Sequence, residues 1–270
     1  MTAFEFLTPE EKALSDRFRT EGHVIAPAED RAAIEAIRDL MVGLACDWLK
    51  VGRPADAGAF LNCIGEHVPV ERLNEFRLAM IGGMNAAPWL RAAYFSVARK
   101  ALSTIVGNEL CMQRRINLSI QLPGDDSSLL PVHADTWSGD SPFEVVLWIP
   151  LVDCYRSKSM YLLPPAPTAV LMRNFTDFAS RSADDLYRHF EADMRWMEVP
   201  FGSFLLFNQN LAHGNRINAE PDARWTMNCR FKGVFTPYAD KKLGEFFEPV
   251  TLRAASRIGL DYEYPAGFHE

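Results

Sequence analysis

The chain has 270 residues, 48% of them hydrophobic, with 35 acidic against 28 basic residues and a formal net charge of −7. That length suits one large domain or two small ones with ample apolar material for a core, and the negative balance argues against broad nucleic-acid or anionic-membrane binding. The five cysteines are scattered, odd in number and form no C-x-x-C, which excludes a disulfide framework or zinc ribbon and fits a reduced cytoplasmic protein.

The first residues carry charges throughout and lack the apolar centre of a signal peptide, and no run approaches the length of a membrane span. Thr8-Pro9-Glu10-Glu11 predicts a helix over 8–20: a capping Thr, Pro at the first helical position and acidic residues in the first turn. Gly22-His23-Val24-Ile25 reads as a short strand. Ile34, Ile37, Leu40, Met41, Leu44 and Trp48 recur at helical spacing and predict a helix from Asp30 to about Val51, stopped by Gly52-Arg53-Pro54. Residues 53–70 read as loop and turn. Helices are predicted over 71–97, interrupted near Pro88, and over 99–106.

After Gly107 the character changes to strands. Residues 114–122 alternate, with Ile116, Leu118, Ile120 and Leu122 on one face and Arg115, Asn117, Ser119 and Gln121 on the other. A turn follows at 123–128. Residues 144–152 form a near-continuous apolar run, the pattern of a buried strand. Residues 161–167 suggest a strand ending in a Pro-rich turn, and 174–195 a helical insertion centred on 183–187. Strands resume at 196–199 and 202–207. Residues 224–234 alternate again, with Arg224, Thr226, Asn228 and Arg230 against Trp225, Met227, Cys229 and Phe231. Helices in the first hundred residues and strands from about 110 to 235 predict a mainly β architecture. It is a double-stranded β-helix, or jelly roll, with a helical N-terminal part (about 1–106), a core (about 110–235) and a C-terminal extension, all in one domain.

Chemistry concentrates at Val132-His133-Ala134-Asp135-Thr136 and Ala212-His213-Gly214-Asn215. On an extended segment an H-x-D pair puts imidazole and carboxylate on one face, because side chains alternate with period two. With His213 as third ligand the set is the two-His, one-carboxylate triad that holds non-haem Fe(II) with open positions. The bland reading of the H-x-D alone is an ordinary polar pair on a surface strand. Arg224 stands eleven residues beyond His213. Its planar fork suits the carboxylate of a co-substrate, with Thr226 and Asn228 on the same face to add hydrogen bonds. A salt-bridged surface Arg is the alternative. His23, His67, His189 and His269 lack metal-like spacing and read as surface or structural.

The H-x-D, the distal His followed by Gly and the Arg eleven residues on resemble the 2-oxoglutarate-dependent oxygenases of the phytanoyl-CoA dioxygenase-like superfamily. The helix-then-strand stretch FRTEGHVI (residues 18–25) is similar to the N-terminal entry of that group. The segment beginning HGNRINAEPDARWTMNCRFKGVF and running over residues 213–265 looks like the sporadic carbohydrate cluster 2OG-Fe(II) oxygenases, encoded among sugar-biosynthesis genes. With residues 114–165 it covers roughly half the chain.

The resemblance implies Fe(II) on His133, Asp135 and His213, and 2-oxoglutarate with its distal carboxylate on Arg224. Related halogenases carry a small residue at the position of Asp135, so an Asp there implies hydroxylation or another oxidation. The implied partners are molecular oxygen and a sugar-containing small molecule, with no nucleic acid or membrane; a homodimer is a candidate assembly. Gln121 and Asn117 either hydrogen-bond 2-oxoglutarate or substrate, or pair with each other. Trp148 walls the co-substrate pocket or is an ordinary core Trp. Asn215 reaches the co-substrate or serves its turn. Trp137 is placed to line the substrate side. Arg230 binds a substrate phosphate or acid, or is structurally paired. The expected reaction is decarboxylation of 2-oxoglutarate to succinate coupled to hydroxylation of an aliphatic C–H. A cupin-like metal-dependent sugar isomerase or epimerase and a non-catalytic sugar-binding jelly roll are the rivals.

Overall fold

The computed structural model describes residues 5–178 and 180–268. Helix α1 (Pro9–Glu21) starts as its sequence predicts: Thr8 and Glu11 form a reciprocal capping box, Pro9 opens the first turn, and Gly22 ends it at φ +76°. Strand β1 (His23–Pro27) follows, then α2 (Arg31–Leu49), capped by the Asp30 side chain. Next come α3 (Ala57–Asn62), α4 (Leu73–Asn85), α5 (Leu90–Ser96) and α6 (Arg99–Ile105).

The remaining elements are β2 (Leu110–Gln113), β3 (Asn117–Gln121), β4 (Val145–Pro150), β5 (Tyr161–Leu162), α7 (Pro165–Arg173), α8 (Ala183–Phe190), β6 (Arg195–Trp196), β7 (Ser203–Asn208), β8 (His213–Gly214), β9 (Arg224–Gly233), β10 (Phe247–Pro249) and α9 (Ala254–Leu260).

The strands form two antiparallel sheets. The larger runs β1-β7-β4-β9-β2-β10, with β3 pairing the first half of β9; the smaller runs β6-β5-β8. The long strand β9 organises the large sheet. Its apolar row faces the helices: Trp225 meets Phe76 of α4 edge to face at 5.8 Å, and its indole N–H donates to Leu61 O at 2.9 Å. Ile34, Ile37 and Met41 of α2 belong to the same continuous core. Each such side chain contributes on the order of 1.5–3 kcal/mol by leaving water. A smaller cluster, including Tyr161, Leu163, Leu186 and Phe190, packs α7 and α8 against the small sheet. The polar row of β9 faces the other way, toward a cavity lined from both sheets.

Four stretches differ from the sequence reading. Residues 53–70 hold α3, whose start is a capping Asp56 that accepts from Ala59 N–H. β2 carries no alternation because all four of its residues are buried. The Pro-rich stretch after Tyr161 is helix α7, with Pro165 at its first position rather than in a turn. Asp135 does not continue a strand but opens a single 3-10 turn, Asp135–Ser138, closed by Gly139 at φ +87°. No helix among the described residues is long and apolar enough to cross a membrane.

Candidate metal and co-substrate site

His133 and His213 are brought together by backbone pairing. The two residues form an antiparallel bridge, His133 N–H to His213 O at 2.9 Å and His213 N–H to His133 O at 2.7 Å. Residues directly opposite in such a bridge project side chains to the same face. The two imidazoles lie side by side with ring centroids 4.3 Å apart. Ala134 is extended (φ −118°, ψ 140°), so Asp135 falls on the face of His133. The Asp135 N–H donates to Gln209 O at 3.2 Å, which anchors the turn that carries it.

Each imidazole has its Nδ1 2.8 Å from a backbone carbonyl two residues earlier, Pro131 O for His133 and Leu211 O for His213. A carbonyl accepts only, so Nδ1 bears a proton in each ring, and in the neutral imidazole Nε2 carries the lone pair. Those Nε2 atoms face Asp135 Oδ1, at 3.5 Å from His133 and 3.9 Å from His213. Two ligand atoms sharing one ion at about 2.1 Å each sit at most about 4.2 Å apart, and both imidazole–carboxylate pairs meet that limit. The whole donor set lies within 4.8 Å. The donor types and tautomers fit a divalent transition metal such as iron.

The electrostatics hold His213 and Asp135 in their ligating forms, whereas His133 must lose a proton more readily held than usual. Burial pushes His213 down to about 4, helped by neighbouring His133, so it is neutral at pH 7. Burial also lowers His133, but the Asp135 hydrogen bond and the Pro131 carbonyl outweigh it and raise the net value. Burial raises Asp135, yet the His133 hydrogen bond and the charges of His213 and Arg230 hold it well below the usual carboxylate range.

Arg224 opens β9 opposite Gln121 of β3 and is 3% exposed. Its Nη1 donates to Ser159 O at 3.1 Å and its Nη2 to Ser119 Oγ at 2.9 Å, both uncharged acceptors. Its Nε is buried with no partner among the described residues. Desolvation lowers the guanidinium to about 10. A buried cation with neutral partners and an orphaned N–H has the charge and a free donor that suit an anion. Arg224 and the three donors line one cavity of about 240 Å³.

The other sequence-predicted residues divide. Trp148 lines the cavity from β4. Asn117 lines it too and donates to Asn228 Oδ1 at 2.9 Å across the β3–β9 pair. Asn215 lines it while accepting from Leu130 N–H at 2.6 Å, so it also serves its turn. Gln121 does not reach the cavity. It is fully buried, and its Nε2 donates to the carbonyls of Asp125 and Arg216. Trp137 is outside the cavity wall as well, because the 3-10 turn directs its ring onto Phe175, 4.9 Å away. Arg230 lines the cavity, but its guanidinium is paired with Asp135. His67 packs on Phe60 and His189 on Phe178, away from the donor set, and His269 lies outside the described residues.

Sequence reasoning passes over Ser119 and Gln209. Ser119 has a signal, since it sits between Asn117 and Gln121 on the polar face of one strand. Gln209 has none: it lies in the turn after β7, with no spacing that ties it to the other site residues.

No protein-family model matches the chain, and no curated protein matches it. Solved structures do. The chain is similar to the non-heme monooxygenase ThoJ in its nickel complex, at 18% identity and TM-score 0.56, over 88% of this chain and 84% of that one. It is similar to HygX from Streptomyces hygroscopicus with nickel and 2-oxoglutarate bound, at 16% identity and TM-score 0.55, over 88% and 90%. It is also similar to the non-heme alpha-ketoglutarate-dependent carbocyclase SnoK from nogalamycin biosynthesis, at 15% identity and TM-score 0.52, over 91% and 97%. The likeness spans nearly the whole chain and is one of fold.

Proposed function

We propose that the chain is an Fe(II)- and 2-oxoglutarate-dependent oxygenase that hydroxylates a carbohydrate or sugar-containing small molecule. One observation carries the reading: a single cavity holds two imidazole Nε2 atoms and a carboxylate oxygen, and in its wall a buried guanidinium that forms no ion pair among the described residues. The fold is similar to that of HygX, solved with nickel and 2-oxoglutarate bound, which supports the same cofactor class here. We read the two sheets as those of a double-stranded β-helix and the chain as one catalytic unit. The five unpaired thiols support a reducing, cytoplasmic setting.

His133, Asp135 and His213 would hold the metal, and Arg224 with Ser119 would hold the distal carboxylate of 2-oxoglutarate. Bound together with dioxygen, iron and 2-oxoglutarate supply an oxidation of an aliphatic C–H with release of succinate and carbon dioxide. The protein's part is binding and orientation. Trp148 and Phe207 wall the cavity and exclude water, and Thr226 adds a hydroxyl to the same wall. Asn117, Asn228 and Asn215 offer paired donors and acceptors, which suit a hydroxyl-rich substrate.

Anaerobic titration of the metal-free protein with Fe(II) and 2-oxoglutarate tests this reading. A weak visible charge-transfer band should develop in the wild type and be absent in His133→Ala and Asp135→Ala. A folded wild type that gives no band contradicts the proposal. A sugar-binding module would keep its ligand after metal removal, and an isomerase would leave 2-oxoglutarate unconsumed after air is admitted.

A further inference from the structure

Arg230 lies on the cavity-facing row of β9, six residues along from Arg224. Its guanidinium is engaged. Nη2 sits 2.9 Å from Asp135 Oδ2, while Nε donates to that same oxygen at 3.2 Å and to Gln209 Oε1 at 3.2 Å. The other oxygen of Asp135, Oδ1, is the one that faces His133 and His213. The two oxygens of one carboxylate therefore have separate partners.

Gln209 locks the arrangement. Its backbone carbonyl accepts the Asp135 N–H, its Oε1 accepts from Arg230, and its Nε2 donates to Ser141 O at 2.9 Å and Glu144 Oε2 at 3.2 Å. Gln209 is fully buried, so these bonds do not compete with water. Asp140, itself held by Lys241, stands 3.6 Å from Arg230 Nη2 and confines the guanidinium from another side.

We propose that Arg230 is a positioning residue: it holds Asp135 Oδ2 so that Oδ1 alone faces the metal position. The inference rests on the oxygenase reading. A carboxylate that turns freely offers a metal one oxygen or two. A second oxygen would take up a position that the co-substrate or dioxygen needs, and the two-His, one-carboxylate site works by keeping positions open. The planar edge formed by Nε and Nη2 sets the rotation of the carboxylate, which a lysine's point charge does not. This role also explains why a cation sits beside a metal site: it faces the oxygen that points away from the two imidazoles.

The test is Co(II) binding to the metal-free protein, read by titration and by the visible absorption spectrum, which reports coordination number. Wild type, Arg230→Met and Arg230→Lys are compared at a temperature where circular dichroism shows each folded. Arg230→Met should bind Co(II) about 10–100-fold more weakly, the range for lost support of a metal ligand, with a changed absorption envelope. Arg230→Lys should recover only part of both. In an Asp135→Ala background, Arg230→Met should add no further loss, since no carboxylate remains to be oriented. Wild-type affinity and spectrum in Arg230→Met, with an effect confined to turnover, would make Arg230 a substrate contact and overturn the proposal. If Arg230→Met does not fold, Arg230→Lys decides: an unchanged affinity and spectrum overturn it. A wild type that binds no Co(II) sinks the oxygenase reading itself, whereas indistinguishable variants sink this inference alone.

Discussion

Replacing Arg224 with methionine should separate a ligand-binding cation from a structural one. Burial lowers this guanidinium from 12.5 to about 10, which corresponds to about 3 kcal/mol disfavouring its charged form. Against that stand two hydrogen bonds, to Ser159 O and Ser119 Oγ, worth about 1 kcal/mol each. The Nε adds no hydrogen bond among the described residues. The ligand-free protein should therefore be no less stable as Arg224→Met, and more stable by about 1 kcal/mol, a rise in Tm of roughly 2–4 °C. Binding should move the other way. Removing one member of a buried charged pair costs about 2–5 kcal/mol, so the Kd for 2-oxoglutarate should rise roughly 30-fold to several-thousand-fold. Differential scanning calorimetry with Ni(II), with and without 2-oxoglutarate, reads both effects. Wild type should gain stability on adding 2-oxoglutarate, about 2.7 kcal/mol at a hundredfold excess over its Kd, and the variant at the same concentration less than about 1 kcal/mol. A ligand-free Tm lowered by several degrees, with the 2-oxoglutarate shift retained, would refute the reasoning and make Arg224 a scaffold residue.

Gly214 leaves room for its neighbours: a Cβ there would stand 2.6 Å from both Leu130 O and Tyr161 Oη. Gly214→Ala should displace the bridge that carries His213, destabilise the fold by about 1–3 kcal/mol and weaken metal binding at least severalfold; an unchanged Ni(II) isotherm contradicts this. The depressed value of His213, about 4 against an ordinary 6.5, makes the unfolded chain bind the extra proton between those pH values. Metal-free stability then falls as pH drops through that window, by up to about 3 kcal/mol from this residue. In urea melts the wild type should lose ground to His213→Leu between pH 6.5 and 4, and parallel pH profiles would rule this out. Metal should restore the wild type, because binding requires the neutral imidazole.

The sequence is most informative where period and chemistry coincide. The alternation of residues 224–234 describes β9 correctly on both faces, because one face packs on helices and the other borders a polar cavity. The same alternation draws Gln121 into the site with Asn117. Facing the right way is not reaching the cavity, and the loop carbonyls of Asp125 and Arg216 hold the Gln121 amide. Trp137 is misplaced for a related reason: the strand reading of the H-x-D segment assumes that it stays extended, and the 3-10 turn at Asp135 rotates the side chains beyond it. β2 escapes notice because a strand buried on all sides has no period to read. The pairing of His133 with His213 is legible as chemistry and not as structure. The metal motif pairs them across a long stretch of chain, but only the backbone bridge shows how the two rings come to lie side by side.

Succinate formation in the absence of any primary substrate tests the central claim most directly. Wild-type protein in air, supplied with Fe(II), ascorbate and 2-oxoglutarate, should release succinate slowly. His213→Ala and Arg224→Met, which alter different parts of one cavity, should both abolish that release. Succinate at wild-type rates from either variant, or none from wild type that binds Fe(II) and 2-oxoglutarate, would contradict the account.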